Sequence, residues 1–302
     1  MITLVINSYY RQGSTVVFKM LELSNPHSIV LCEPLHPNLF DILKRVKVGE
    51  RDHLHGMPIW DHYFKIPYEY FIKLQEAHRD FTNVFEFKEV KQYLDILHSI
   101  PQEVMFKSTR LHFVLHDVAR HYGCKTIHIV RNPANTWMDF LHISIKRNEK
   151  LFWKITLSRK MWNEIGNAFF LGSNYDAIKK RFNLHDVKNN FERFMITWTY
   201  CNYYGMKNAD FILVYEVLLL KRSYYLKDIN NVVGRIVFKP EYSYLPNKII
   251  ALEYPNRRSV LNVLFSQKLE DLGLYKMYKW MYDRINEQFI KYGIVNEYYP
   301  EV

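Results

Sequence analysis

The sequence predicts an α/β fold: a three-layer sandwich with a central parallel sheet flanked by helices, carrying helical insertions. Three observations carry this. Short apolar, β-branched runs of strand length recur along the chain, as in Ile2–Asn7 (ITLVIN), Lys125–Val130 (KTIHIV) and Asp210–Tyr215 (DFILVY). Stretches with apolar residues at helical spacing alternate with them. No internal repeat or low-complexity linker interrupts the 302 residues, so a single domain spanning 1–302 is expected, with substrate-side insertions at about 37–100 and 147–190.

Ile2–Asn7 reads as a buried strand, followed by the loop SYYRQGST and a helix begun by VVFKMLEL and broken at Ser24-Asn25-Pro26. Ser28–Cys32 is a second strand leading into EPLHP. Strand, loop, helix and strand with short connections predict a right-handed βαβ unit, the second strand beside the first. From Pro37 to about Pro67 the chain reads as irregular, with His53, His55 and His62 clustered there. A helix is expected over Glu86–Ser99, a strand at Val104–Phe106, and a helix over Arg110–His121 closed by Gly123. The strand KTIHIV and the loop RNPAN then lead to a helix over Thr136–Lys146. Leu151–Asn190 reads as mostly helical, Phe191–Met206 as an amphipathic helix, DFILVY as a strand, and the chain from Leu261 onward as helical.

Composition excludes several classes. With 48% hydrophobic and 24% charged residues the chain is neither disordered nor fibrous. At this length roughly 75% of the unfolded surface can be buried, so no staple is needed. Cys32, Cys124 and Cys201 are far apart, without a CxxC pair, which argues against a disulfide framework or structural zinc and suits a reducing, cytoplasmic setting. No apolar run approaches the ~20 residues of a membrane span, and MITLVINSYY lacks the features of a signal peptide. Lys and Arg number 41 against 31 Asp and Glu, a net charge of +10 that favours anionic partners such as a nucleotide or an acidic glycan. The basic residues are interspersed with acids, so nucleic acid is not an expected partner. With 23 Tyr and 20 Phe against 10 Gly, a bulky core is the plainer reading and a sugar- or phenol-binding surface the sharper one.

Tyr10-Arg11-Gln12-Gly13-Ser14-Thr15 lies between a strand and a helix, where an anion cradle forms readily. Gly13 lets the backbone approach a ligand, and the first helical turn offers unpaired amides. Ser14 and Thr15 add hydroxyl donors, and Arg11 adds a fork suited to phosphate-like oxygens. The plainer reading is a tight turn with Ser14 as helix cap and Arg11 in solvent. The triphosphatase loop GxxxxGK[ST] is absent, which disfavours an ATPase. A second anion signal, Val130-Arg131-Asn132-Pro133, falls at the carboxyl end of KTIHIV, where ligands bind in open α/β sheets. Its alternative is a surface turn.

These loops resemble those of sulfotransferases that use 3′-phosphoadenosine 5′-phosphosulfate (PAPS). RQGST is similar to their 5′-phosphosulfate loop and IVRNP to their 3′-phosphate motif. Leu31-Cys32-Glu33-Pro34-Leu35 resembles the "YEPL" segment of the carbohydrate branch, and Phe106 to Leu111 (FKSTRL) its "LKxxRL" strand end. Trp198 and the pair Tyr215-Glu216 resemble a later "W…YEdL" pattern, so the likeness spans positions 1 to about 218 in order. It implies a P-loop-like fold with Arg11, Gln12, Gly13, Ser14 and Thr15 on the phosphosulfate, Arg131 on the 3′-phosphate and Tyr215 beside the adenine. There are departures. The Ser expected eight residues after the arginine is Asp139, the Trp after the loop is Val16, and no RKG motif stands near the C-terminus, where Arg257-Arg258 is a substitute or a solvated pair.

Sulfuryl transfer needs donors at the leaving oxygen and a base for the acceptor hydroxyl. Arg11 suits the first role. The family's "KTH" histidine is Thr109 here, so Glu33 becomes the candidate base and Lys107 a group that steadies the transferring sulfuryl. A structural ion pair is the plainer reading of both. His36, His112 and His116 are weaker bases, the last two at i and i+4 of one expected helix. The His53/His55/His62 cluster lacks framing cysteines, and no metal is expected. The implied function is sulfuryl transfer from PAPS to a hydroxyl of a small-molecule or glycan acceptor. The rivals are an inactive nucleotide-binding protein of the same fold and an ATP-dependent phosphotransferase. No membrane span is expected, and a homodimer is the assembly considered.

Overall fold

Five parallel strands form the centre of the computed structural model, which describes residues 1–52, 56–144, 171–187, 189–239 and 255–302. Of the positions singled out above, His53, His55, residues 145–170 and the side chain of Arg257 lie outside the described residues. β1 (Ile2–Ser8), β2 (Ile29–Cys32), β3 (Val104–Ser108), β4 (Lys125–Val130) and β5 (Phe211–Val214) stand in the order β2-β3-β1-β4-β5. The strands fall within one or two residues of the sequence expectation. Every residue of β3 is buried, and in β1 all but Thr3 are, as expected of strands covered on both faces.

The order corrects one expectation. β2 does not lie beside β1, because β3 pairs with both, aligning Val5 with Phe106 on one side and Leu31 with Phe106 on the other. Local pattern specifies strands but not which distant strand enters between them. The chain moves one way across the sheet from β1 to β2 through α1 (Ser14–Ser24). It moves the other way from β3 to β4 through α5 (Leu115–Tyr122). With crossovers of one hand these helices cover opposite faces.

Between β2 and β3 run α2 (Leu39–Leu43), a 3-10 turn (Asp61–Lys65), α3 (Tyr68–Ala77) and α4 (Lys88–Ser99). α3 has a single buried residue, Leu74, so its sequence carries little apolar periodicity. α6 (Pro133–Ser144) begins three residues before the expected helix, with Pro133 at a first position that suits its fixed φ. α7 (Leu171–Phe182) and the largely buried α8 (Asn190–Lys207) precede β5. α9 (Tyr215–Leu220), α10 (Arg222–Val233), α11 (Pro255–Lys268) and α12 (Tyr275–Lys291) follow it.

Both sheet edges are capped by side chains, which removes exposed pairing groups. At the β2 edge the Val30 N–H donates to His62 Nδ1 at 2.9 Å and Tyr63 Oη donates to the Cys32 carbonyl at 2.8 Å. At the β5 edge Tyr225 Oη accepts from Val214 N–H at 2.8 Å and donates to the Ile212 carbonyl at 3.1 Å. The three cysteines are free and buried. Among the described residues no helix is long and apolar enough to cross a membrane, and no group of three or more His, Cys, Asp or Glu is placed to hold a metal.

Candidate active site

Each of the five strands delivers sequence-predicted residues to the carboxyl end of the sheet: β1 the 11–15 loop, β2 Glu33, β3 Lys107, β4 Arg131 and β5 Tyr215. That end is where open parallel sheets bind ligands. Three residues there have left-handed backbones: Arg11 (φ 61°), Gly13 (φ 78°) and Glu33 (φ 51°). For Arg11 and Glu33 this conformation is uncommon and costs of order 1–3 kcal/mol, to be offset by their surroundings.

The 11–15 loop is folded around Gly13. A Cβ built there would stand 2.1 Å from Tyr215 Cε2, so the loop lies directly against that ring. Gly13 caps α1 without a side-chain bond, and the first turn holds no acidic residue, leaving a helix N-terminus open to an anion. Ser14 is buried and Thr15 half-buried beside it. The half-buried Arg11 guanidinium forms no ion pair among the described residues, and its Nε has no hydrogen-bond partner. Burial lowers its pKa, opposed by Asp139 nearby. Gln12 faces inward: its amide accepts from Tyr9 N–H at 2.9 Å and donates to Asn202 Oδ1 at 2.9 Å. Only the Gln12 backbone is thereby left for a ligand.

Beneath the loop runs a polar chain that the sequence did not reveal. Asn7 Nδ2 donates at 3.0 Å to Nδ1 of both His112 and His128. Each histidine then donates from Nε2, His112 to the Thr109 carbonyl at 3.0 Å and His128 to Asn202 Oδ1 at 3.1 Å. These partners assign both rings as neutral Nε2–H tautomers. Burial depresses their pKa values to about 3 and about 4, which agrees. His112 is not on a helix with His116, as the spacing suggested, because α5 starts only at Leu115. Arg110 N–H bonds Ser108 Oγ and Leu111 N–H bonds Asn7 Oδ1, tying that turn to the strand ends. His116 is exposed.

Glu33 is the hub of the second cluster. Its Oε1 accepts from Lys107 Nζ at 2.6 Å. Its Oε2 accepts from Arg110 Nη1 at 2.6 Å and from Thr109 N and Oγ1 at 3.2 and 3.1 Å. All four residues are buried. Burial pushes the Glu33 pKa up, but Lys107 and Arg110 overcome it and hold the carboxyl at about 2. Lys107 is raised, the attraction of Glu33 prevailing over its own burial. His36, half-buried, donates its backbone N–H to the Glu33 carbonyl at 2.9 Å, and burial lowers its imidazole to about 4. No direct contact joins Glu33 to Arg11 among the described residues. Tyr10, next to Arg11, lies under the Arg110 guanidinium at 5.8 Å.

Arg131 faces the 11–15 loop. Its Nη1 donates to the Arg11 carbonyl at 2.8 Å, its guanidinium lies 5.5 Å from the centre of the Tyr215 ring, and it is ion-paired to Asp139. Glu216 sits behind it, accepting from Asn132 N–H at 3.0 Å and Tyr299 Oη at 3.0 Å, with its pKa raised by burial. Arg258 stacks on Tyr298 at 4.8 Å.

No family model matches the chain. An uncharacterized protein of Archaeoglobus fulgidus is 28% identical over 329 aligned positions, covering 99% of this chain and 98% of that one. Among solved structures the chain is similar to a sulfotransferase from Alicyclobacillus acidocaldarius, with 12% identity, a TM-score of 0.41, and 90% and 94% of the two chains covered. It is also similar to a sulfotransferase domain of the Synechococcus PCC 7002 olefin synthase, at 13% identity and a TM-score of 0.41 over 83% and 80% of the chains. Mouse sulfotransferase SULT7A1 complexed with PAP gives 15% identity and a TM-score of 0.37 over 80% of this chain and 62% of that one. Likeness at this level bears on neither donor nor acceptor.

Proposed function

We propose that this protein is a sulfotransferase that moves a sulfuryl group from a nucleotide 5′-phosphosulfate to a hydroxyl, PAPS being the donor that the sequence resemblance implies and a carbohydrate the acceptor. The observation that carries the reading is the Arg11 guanidinium, without an ion pair among the described residues, beside an N-terminus of α1 that has no side-chain cap, with a Glu33–Lys107 pair at the ends of two strands of the same sheet. Arg11 and the first-turn amides take the phosphosulfate oxygens. The acceptor oxygen attacks sulfur in line, the bond from sulfur to the bridging oxygen breaks, and its electron pair leaves with the nucleotide phosphate. Arg11 stabilises that charge. The hydroxyl proton goes to Glu33. With its carboxyl at about 2, Glu33 is a weak base while Lys107 and Arg110 hold it. Sulfuryl oxygens that compete for Lys107 loosen that hold and raise its basicity as the reaction begins. The buried free cysteines fit the reducing cytoplasm in which we place the protein.

The test is incubation with radiosulfur-labelled PAPS or adenosine 5′-phosphosulfate and a panel of sugar, phenol and peptide hydroxyls. Label appearing in a sugar is the expected result. Nucleotide binding without transfer to any acceptor identifies an inactive binder, and phosphoryl transfer from ATP identifies a phosphotransferase.

A further inference from the structure

We infer that Asp139 makes the donor pocket one for a ribose with a free 3′-hydroxyl, so that the donor class is a nucleotide 5′-phosphosulfate without a 3′-phosphate. The inference rests on the reading above, in which Arg131 stands on the 3′ side of the donor and Tyr215 beside its base. The sequence offered two arginine loops for two separated anions. Among the described residues only Arg131 of the two is ion-paired, while Asp139 acts on Arg11 from farther off. Arg11 has no ion pair among the described residues, whereas Arg131 is paired to Asp139 and has Glu216 behind it.

Both partners are sheltered, with side-chain exposures of 4% for Arg131 and 13% for Asp139. A 3′-phosphate on Arg131 would stand as a dianion beside the sheltered Asp139 carboxylate, the two competing for one guanidinium. That is a large desolvation and repulsion cost. A ribose hydroxyl meets no such cost. It is at once donor and acceptor. Asp139 offers a carboxylate oxygen to accept its proton, and Arg131 Nε, buried and without a partner, offers an N–H to its oxygen. A phosphate lacks the hydrogen that Asp139 requires. The same chemistry separates a carboxylate, which takes a ribose hydroxyl in nucleotide sites, from an arginine, which takes a ribose phosphate.

The experiment is calorimetric titration with two unreactive ligands that differ only at this position, adenosine 5′-monophosphate and adenosine 3′,5′-bisphosphate. The wild type and the Asp139→Ser and Asp139→Asn variants are compared. The wild type is expected to bind the monophosphate more tightly by roughly ten- to a hundredfold, the scale of one charge-assisted hydrogen bond. Asp139→Ser is expected to reverse the order. Tighter binding of the bisphosphate by the wild type overturns the inference and leaves the sulfotransferase reading standing, and this arm needs no variant to fold. Binding of neither nucleotide overturns both.

Discussion

Glu33→Gln is expected to lower sulfuryl transfer by ~10²–10⁴-fold, the usual cost of losing a general base. The glutamine keeps the shape and one acceptor oxygen but takes up no proton. It also removes the charge that holds Lys107 and Arg110, so a fall in turnover alone does not separate a base from a structural anchor. Nucleotide affinity does. If Glu33 acts as the base, freed cations leave donor affinity unchanged or tighter while turnover collapses. If Glu33 only holds Lys107 in place, Lys107→Met should lower turnover as far as Glu33→Gln does, and the double variant no further. Near wild-type turnover in Glu33→Gln removes it from the chemistry and leaves His36, whose backbone N–H bonds the Glu33 carbonyl, as the next base.

Gly13→Ala carries the second large effect. At φ 78° an alanine takes a left-handed backbone at about 1–2 kcal/mol, and its methyl would meet the Tyr215 ring at 2.1 Å. The loop must move, and donor binding falls with it. Denaturant unfolding and titration of Gly13→Ala, Tyr215→Ala and the double variant separate the two causes. Removing the ring is expected to recover the steric share of stability and none of the backbone share. Additive losses would show that ring and loop do not press on each other.

The strands and their carboxyl-end loops were legible because each is a local pattern: an apolar run, then a turn residue, then helical spacing. KTIHIV is β4 to the residue. Strand order was not legible, since β3 (Val104–Ser108) enters between β1 and β2 (Ile29–Cys32) from far downstream and no local pattern marks that pairing. The Asn7–His112–His128–Asn202 chain was hidden for a related reason. His128 lies between two isoleucines of β4, and only the fold brings it to Asn7 and α8. A polar residue inside a β-branched run was the one available signal. Asp139 stood out in the sequence as a misfit, but its meaning depended on finding it paired to Arg131.

Arg11 is the centre of the proposed donor site. Titration of adenosine 5′-phosphosulfate into the wild type and Arg11→Ala, with a chelator present, tests it most directly. The prediction is saturable binding by the wild type, weakened roughly ten- to a hundredfold when the guanidinium is lost. Equal affinity of the two proteins, or binding only of ATP with magnesium, would contradict it.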